Sequence, residues 1–508
     1  MSEKAPARLA ERRSAGAPAD STSHDHDLVG ARAGRIGILA GGGRLPLTIA
    51  ESVIERGGSV HIVAIEGEAD VAIARFPHTW VNWGQVGRMV STLRKRADAL
   101  VIVGGVRRPN LWKLRPDWGF LFSLPQILEM MAGGGDDSVL SRVVRFFEAK
   151  GITVRGAHEV APGLLVLGGP AGALSLDRQG LADAELGFAV RAALGALDAG
   201  QAVVTEGGRV LAIEGAEGTD AMLRRIADLR GGRAGAAPGG VLAKGPKPGQ
   251  ELRVDMPAIG PRTVEGAAAA GLAGVAVEAG AVLLLDRTEA IAEADACGIA
   301  IEGLTSERDP AGKHGLQMEQ GASRRVPSPL VGEGQGGGES QRQGVAPPPH
   351  PPPPPGGGFA RPPEQRLRPA IRTAGGLQPD ARGAADIDKG LVAIERLAPF
   401  GTGKAVVVSR AYILGVAAAE PTLDLLERTR ALRQWGVGAK RRIGVVACRA
   451  DLGEWDAAGV AALLDKAAAA GLAGVAVTGT PEALAHFERA GALADRHGLF
   501  LSTRGEQP

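Results

Sequence analysis

The chain has 508 residues, 44% of them apolar, and a formal net charge of +2. That length supports several hydrophobic cores, and the near balance of charge excludes the strongly basic surface with which a nucleic-acid binder meets phosphate. Cys297 and Cys448 stand in unrelated surroundings, which excludes a disulfide framework or a cysteine metal cluster and suits a reducing compartment, so the expected location is the cytosol. No apolar run reaches the roughly 18 residues of a spanning helix. The head, residues 1–34, carries charges with no apolar region behind them, and is expected to be disordered rather than an ordinary signal peptide.

From Arg35, short β-rich runs alternate with helical stretches: RIGILA, LPLTIAESVIERG, SVHIVAIEG and later ALVIVGGV. Strand, Gly turn, helix and strand in that order predict a Rossmann-like α/β domain over 35–163. FLFSLPQILEMMAGGGDDSVLSRVVRFFEAKG reads as two helices broken at Gly133 to Gly135, with Asp136 or Asp137 capping the second. After a linker at 164–175, a distinct α/β domain is expected over 176–304. Its helix runs from about Asp183 to Leu197, followed by the strands QAVVTEGG and RVLAIEG, the helix TDAMLRRIADL and the strand GVLAKG. Residues 305–384, with VPSPLVGEGQGGGESQRQG and APPPHPPPPPGGG, are too poor in apolar side chains to bury a core and are expected to form a disordered linker. AAAAGLAGVAV then occurs at 267–277 and again, letter for letter, at 467–477, with looser matches ahead of it. Residues 385–508 are therefore expected to be a second copy of the second domain.

Three stretches carry candidate chemistry. ILAGGGRLP places Gly41, Gly42 and Gly43 between the first strand and the first helix, either as a tight turn or as a close approach to an anion at the helix N-terminus. Pro46 stands where a dinucleotide fingerprint has its last Gly, while Glu66 follows the second strand where a ribose-binding acid would stand. IEGAEGTDAMLRR gathers Glu214, Glu217, Thr219, Asp220, Arg224 and Arg225 at a helix start. It is either a capped helix or, with Glu206 near the end of the preceding strand, a set of acids of the kind Mg²⁺ uses when phosphates complete its shell. VLAKGPKPGQELRVDMPAIG puts Lys244, Lys247 and Arg253 beside a lone Asp255 in a segment too rich in Gly and Pro for a helix or ordinary strand. Cations there suit phosphate neutralisation and the carboxylate a metal or a water; the bland alternative is a solvated surface loop. His158 in GAHEV reads as structural.

In order and spacing, GILAGGGRLP, GGVRRP, GDDSVLSRV, GAHEV, EGTDAMLRR, VLAKGPKPGQELRVDMPAIG and GLAGVAVEAG, from about Arg35 to Leu304, resemble the LpxI-type UDP-2,3-diacylglucosamine pyrophosphatases of lipid A biosynthesis. The resemblance implies a Mg²⁺-dependent hydrolase that splits UDP-2,3-diacylglucosamine into UMP and 2,3-diacylglucosamine 1-phosphate, lipid X. It implies a Rossmann-like domain and a distinct α/β catalytic domain with the lipid held between them, and places the family's essential aspartate at Asp255. The charge argument adds Lys244, Lys247 and Arg253 at the diphosphate, and Asp220, Glu217 and Glu206 beside Asp255 at the metal. Gly41, Gly42, Gly43, Thr219, Arg224, Arg225 and Gln250 are expected at the substrate, with FLFSLPQILEMM and LLVL lining an acyl groove. The implied setting is the cytoplasm of a Gram-negative bacterium, with peripheral contact to the inner membrane through the lipid, no nucleic acid, and a homodimer.

The second copy departs from this pattern. Glu206 aligns with Ser409, Glu214 with Ala417 and Asp220 with Leu423, and VVACRADLGEWDAAGV replaces the Lys-rich loop, with Asp456 open as a counterpart of Asp255; the copy is expected to keep the fold and lack catalysis. Packing on the first copy, mimicking a dimer partner and hanging free all remain open for it. Two other functions compete: an NAD-type oxidoreductase resting on GILAGGG and Glu66, which predicts cofactor binding without Mg²⁺, and a non-catalytic lipid-binding or scaffold protein suggested by the degenerate copy.

Overall fold

A computed structural model describes residues 34–106, 114–131, 136–195, 197–231, 238–305, 371–433, 442–452 and 455–505, with side chains at 129–138 outside that set. The disorder expected of residues 1–33 and 306–370 concerns residues outside it as well. The described parts of 34–305 and 371–505 belong to one compact unit. No helix among the described residues is long and apolar enough to cross a membrane.

The N-terminal domain runs β1 (Arg35–Ala40), α1 (Leu45–Glu55), β2 (Ser59–Ile65), β3 (His78–Val81), α2 (Val86–Arg96), β4 (Ala99–Val103), α3 (Trp118–Met131), α4 (Asp136–Ala149) and α5 (Ala157–Val160). Its sheet has the order β3-β2-β1-β4, parallel throughout, the Rossmann-like arrangement expected. Both faces are covered, which is why the strands read as nearly unbroken apolar runs. Ile36, Ile38 and Ala40 point into one core with α1, and Leu39, Val63 and Ile65 into the other with Met89 and Leu93 of α2.

The central domain follows as β5 (Gly169–Pro170), α6 (Arg178–Gly195), β6 (Ala202–Glu206), β7 (Arg209–Ile213), α7 (Thr219–Leu229), β8 (Val241–Lys244), β9 (Ala258–Ile259), α8 (Pro261–Ala269), β10 (Gly274–Glu278), β11 (Leu283–Leu284), α9 (Arg287–Cys297) and β12 (Ala300–Leu304). Its sheet has the order β5-β12-β10-β8-β6-β7, with β8, β10 and β12 parallel and β5, β6 and their partners antiparallel. The stretch read as a linker is part of the structure. Leu164 packs in the N-terminal core, Val166 in the central core, and β5 forms the sheet edge. Helix α6 starts earlier than expected because the Asp177 carboxylate accepts from Gly180 N at 2.7 Å, an N-cap that fixes the first turn.

The third region repeats this architecture as β13 (Arg372–Ala374), α10 (Ala381–Leu397), β14 (Ala405–Ser409), β15 (Tyr412–Ala417), α11 (Thr422–Arg433), β16 (Val445–Arg449), α12 (Ala457–Ala469), β17 (Gly474–Gly479), α13 (Pro481–Arg489), α14 (Gly491–Arg496) and β18 (Phe500–Gly505). Its order, β13-β18-β17-β16-β14-β15, matches the central sheet strand for strand, including a register shift at Val407/Val408 that answers one at Val204/Thr205. The copy begins near residue 371, not 385. Its edge strand β13 and the N-cap Asp380 lie in a Gly- and Pro-rich stretch whose composition reads as linker.

One local feature of the copy is strained. The hairpin turn between β6 and β7 uses Gly207 and Gly208, both at positive φ, while its counterpart between β14 and β15 uses Arg410 (φ 53°) and Ala411 (φ 65°). In each turn a buried carboxylate, Asp183 or Asp386, accepts from both turn N–H groups, which holds the backbone there. A two-residue turn with positive φ at both positions favours Gly because a Cβ crowds the carbonyl. Ala411→Gly should therefore stabilise the protein by about 1 kcal/mol, read as a higher urea midpoint. An unchanged or lower midpoint would contradict the strain.

The copy packs on the central domain through a two-fold-like interface. Val190, Leu194, Val203, Val210 and Ile213 share one core with Leu391, Ile394, Val406, Ile413 and Val416. Ala216 N donates to Leu414 O at 3.0 Å, and the equivalent Ala419 N donates to Leu211 O at 3.2 Å. Of the three arrangements open from sequence, the structure has the first, in an isologous form.

Candidate active site

The carboxyl ends of β8 and β10 face the N-terminal domain, and the loop between β8 and β9 lies in the seam. Val254 packs with the α2 side of the N-terminal sheet, while Met256, Ala258, Leu283 and Leu285 pack with its α1 side. Asp255 sits between those two anchors, at the place in an open α/β sheet where ligands are bound. Its Oδ2 accepts from the buried Gln250 Nε2, and Gln250 Oε1 in turn accepts from Lys247 N at 2.8 Å. Oδ1 has no bond among the described residues. Lys247 Nζ is 2.5 Å from Asp198 Oδ1, so the loop's Lys, Gln and Asp are fixed in one chain of contacts.

Lys244 is placed differently from expectation. As the last residue of β8 it is buried, donating to Thr219 Oγ1 at 3.1 Å and Ala258 O at 2.9 Å. Burial pushes its ammonium below the ordinary lysine range, against the pull of Glu214 and Asp220. Thr219 in turn donates to Glu214 Oε1 at 2.8 Å, and Gln201 N donates to Glu214 Oε2 at 2.6 Å. This network ties the start of α7 to β8 and β9 beneath the loop.

Arg253 is also engaged. Its guanidinium makes a two-pronged pair with Glu251 and a 2.8 Å bond to Glu148 of α4, contacts that hold it above the ordinary arginine range. It joins the loop to the N-terminal domain. A double-mutant cycle of Arg253→Ala with Glu148→Gln should give a coupling of roughly 0.5–1 kcal/mol in stability, since both groups are partly solvated. A coupling near zero would remove the bridging role.

The four acids expected at a metal do not converge. Because β6 runs antiparallel to β8, with Ala202 opposite Lys244 and Thr205 opposite Val241, Glu206 emerges at the other edge of the sheet, roughly 13 Å along the strand from Lys244. There it pairs with Arg230 at 3.0 Å. Glu217 lies in the interface between copies, bonded to Arg225 at 2.8 Å and 3.2 Å from Arg428, while their counterpart Glu420 meets Arg428 at 2.6 Å and Arg225 at 3.2 Å. Arg225, expected at the substrate, is thus committed to the same buried cluster. Asp220 pairs with Arg262. Among the described residues no three His, Cys, Asp or Glu side chains come together as a metal site. Asp255, whose Oδ1 takes no bond among the described residues, offers a carboxylate oxygen of the kind a hard cation accepts when phosphates supply most of its shell.

In the glycine turn, Gly41 N donates to Val103 O, and Gly42 pairs with Gly105 in both directions. A Cβ on Gly41 would come within 2.6 Å of Gly105 O, so this glycine exists for backbone contact with the loop after β4. Their N–H groups are therefore not offered to an anion. Gly43, at φ 92° with open space where a Cβ would stand, is exposed. Arg224 is exposed on α7. Glu66 lies 4.0 Å from Arg115. His158 packs against Gly156 with Nδ1 buried and unbonded, and burial lowers its pKa. The side chains of Asp136 and Asp137 lie outside the described residues.

Sequence reasoning missed Arg191 and Glu278. Arg191, buried on α6, bonds Glu278 at the end of β10 and the carbonyl of Pro246, pinning the start of the loop. A lone arginine within the apolar run GFAVRAALGAL was the available signal. The copy differs at the equivalent places: strand register puts Cys448, buried with its thiol pushed up to about 12, where Lys244 stands, and Asp456 accepts from Gly459 N as the N-cap of α12.

Comparison with known proteins agrees with this architecture. Residues 35–164 match the LpxI N-terminal domain family, and residues 168–302 and again 372–502 match the LpxI C-terminal domain family. A curated relative, the UDP-2,3-diacylglucosamine pyrophosphatase LpxI of Caulobacter vibrioides, is 40% identical over 279 residues, 54% of this chain and 99% of the relative. With a Rossmann-like domain, a central α/β domain whose loop carries Asp255 into the seam, and a second copy of that α/β domain, the chain belongs to the LpxI family.

Proposed function

We propose that this chain hydrolyses the diphosphate of UDP-2,3-diacylglucosamine to UMP and 2,3-diacylglucosamine 1-phosphate, using the N-terminal and central domains as its catalytic unit. The observation that carries this is the 40% identity extending over 99% of the Caulobacter pyrophosphatase. The oxygen of water ends on one phosphorus, and the bridging oxygen leaves with the other.

Asp255 is the residue proposed to hold Mg²⁺ together with the diphosphate oxygens, and the cation supplies neutralisation of diphosphate charge. Gln250 orients Asp255 by occupying Oδ2 and leaving Oδ1 directed to the reaction. Lys247, held by Asp198, is the loop cation proposed for the diphosphate. Gly43 and exposed Arg224 remain candidates for substrate contact, whereas Lys244, Thr219 and Arg253 support the site from behind and Arg225 serves the interface between the copies. The enzyme is proposed to work in the cytoplasm, reaching the inner membrane through its lipid substrate, with the second copy standing where a dimer partner would.

The assay is release of UMP and lipid X from the lipid nucleotide with Mg²⁺, with and without EDTA. Product formation that EDTA abolishes is the expected result. Binding of the lipid without any release would leave a scaffold, and binding of a nicotinamide cofactor with no Mg²⁺ requirement would favour the oxidoreductase alternative.

A further inference from the structure

Helix α3 carries apolar side chains outward as well as inward. Trp118, Leu121, Phe122 and Pro125 fall at the i, i+3, i+4, i+7 spacing of one helical face, and that face points outward. Trp118 is 76% exposed, Phe122 81%, Leu121 47% and Leu128 57%, while Ser123 on the inner side is buried. An exposed stripe of this kind marks an interaction surface.

The charge beside it selects the partner. Helix α2 lies against α3, with Gly87 and Gly119 in backbone contact, and its Arg88, Arg94 and Lys95 are exposed. Arg115, just before α3, is exposed too and reaches Glu66 only at 4.0 Å. Among the described residues the nearby acids are occupied: Asp98 pairs with Arg35 at 2.6 Å, and Asp117 accepts from the N–H groups of Gly87 and Arg88 at the start of α2. Aromatic and aliphatic side chains flanked by unneutralised cations are the recognition chemistry of an anionic bilayer surface. A second copy seated on the stripe would bring like charges together, and residues 306–370 of this chain offer no apolar run to cover it.

We propose that α3 and α2 form a docking surface for anionic phospholipid bilayers, with the outer side chains of α3 entering the interface and the cations of α2 at the headgroups. This docking does not depend on the hydrolytic reading, since it needs no substrate.

The test is co-sedimentation of the full chain with vesicles of phosphatidylcholine alone and of phosphatidylcholine mixed with phosphatidylglycerol, in the absence of lipid nucleotide. The wild type should pellet with the anionic vesicles and be released by salt. Trp118→Ser with Phe122→Ser should weaken partitioning roughly a hundredfold, and Arg94→Glu with Lys95→Glu at least about tenfold at low salt. Melting of each variant, expected to match wild type because the side chains are exposed, separates lost docking from lost folding. Wild type that stays in the supernatant with both vesicle types overturns the proposal. So does pelleting that requires added lipid nucleotide, which would make the stripe an acyl groove, or a halved molar mass in the Trp118/Phe122 variant, which would make it a contact between copies.

Discussion

Replacing Asp255 by Asn should lower kcat/KM by about a thousandfold or more while leaving the melting temperature unchanged. The carboxylate has no ion pair among the described residues and takes a side-chain bond only from Gln250, which an amide oxygen can still accept. The change therefore removes a charge from the seam without leaving a buried partner uncompensated. Gln250→Ala, which keeps the charge but frees its direction, should cost roughly 10–100-fold, as supporting residues do at metal sites. Steady-state rates of UMP release, beside thermal melts, check both. Activity of the Asn variant within tenfold of wild type would move the chemistry away from this loop.

Arg428→Met should destabilise the protein by about 3–5 kcal/mol, although the residue lies in the second copy. Glu217 and Glu420 are only 8% and 2% exposed at the side chain, and each is shared by Arg225 and Arg428. Removing one arginine leaves two buried carboxylates against a single cation, an imbalance that costs far more than a surface pair gives. Replacing all four by apolar residues of similar volume should restore or exceed the original stability. Urea denaturation of the single and quadruple variants measures this, and a loss below about 1 kcal/mol for Arg428→Met would mean that the shared apolar core alone holds the copies together. Glu217→Gln separates the interface from a metal role: the interface predicts lower stability with an unchanged Mg²⁺ requirement, a metal ligand the reverse.

The fold was largely legible because its information is local. Runs such as RIGILA and SVHIVAI announce strands covered on both faces, and a parallel sheet follows from the helices between them. The second copy was legible because its apolar pattern survived where Glu206, Glu214 and Asp220 became Ser409, Ala417 and Leu423. Its true start was hidden, since β13 and the Asp380 cap are embedded in turn-forming residues that share the composition of the linker before them.

The sequence by itself determined the order of domains, the duplication, and the loss of Glu206, Glu214 and Asp220 from the second copy. Only the tertiary structure decided what the charges do. Strand direction sends Glu206 to the far edge of the sheet, packing of the two copies draws Glu217 and Arg225 into a buried cluster, and Glu148 from a distant helix claims Arg253. Periodicity records which residues share an element's face. Which charges meet depends on how elements far apart in the chain are oriented and packed, and that is fixed by burial across the whole molecule.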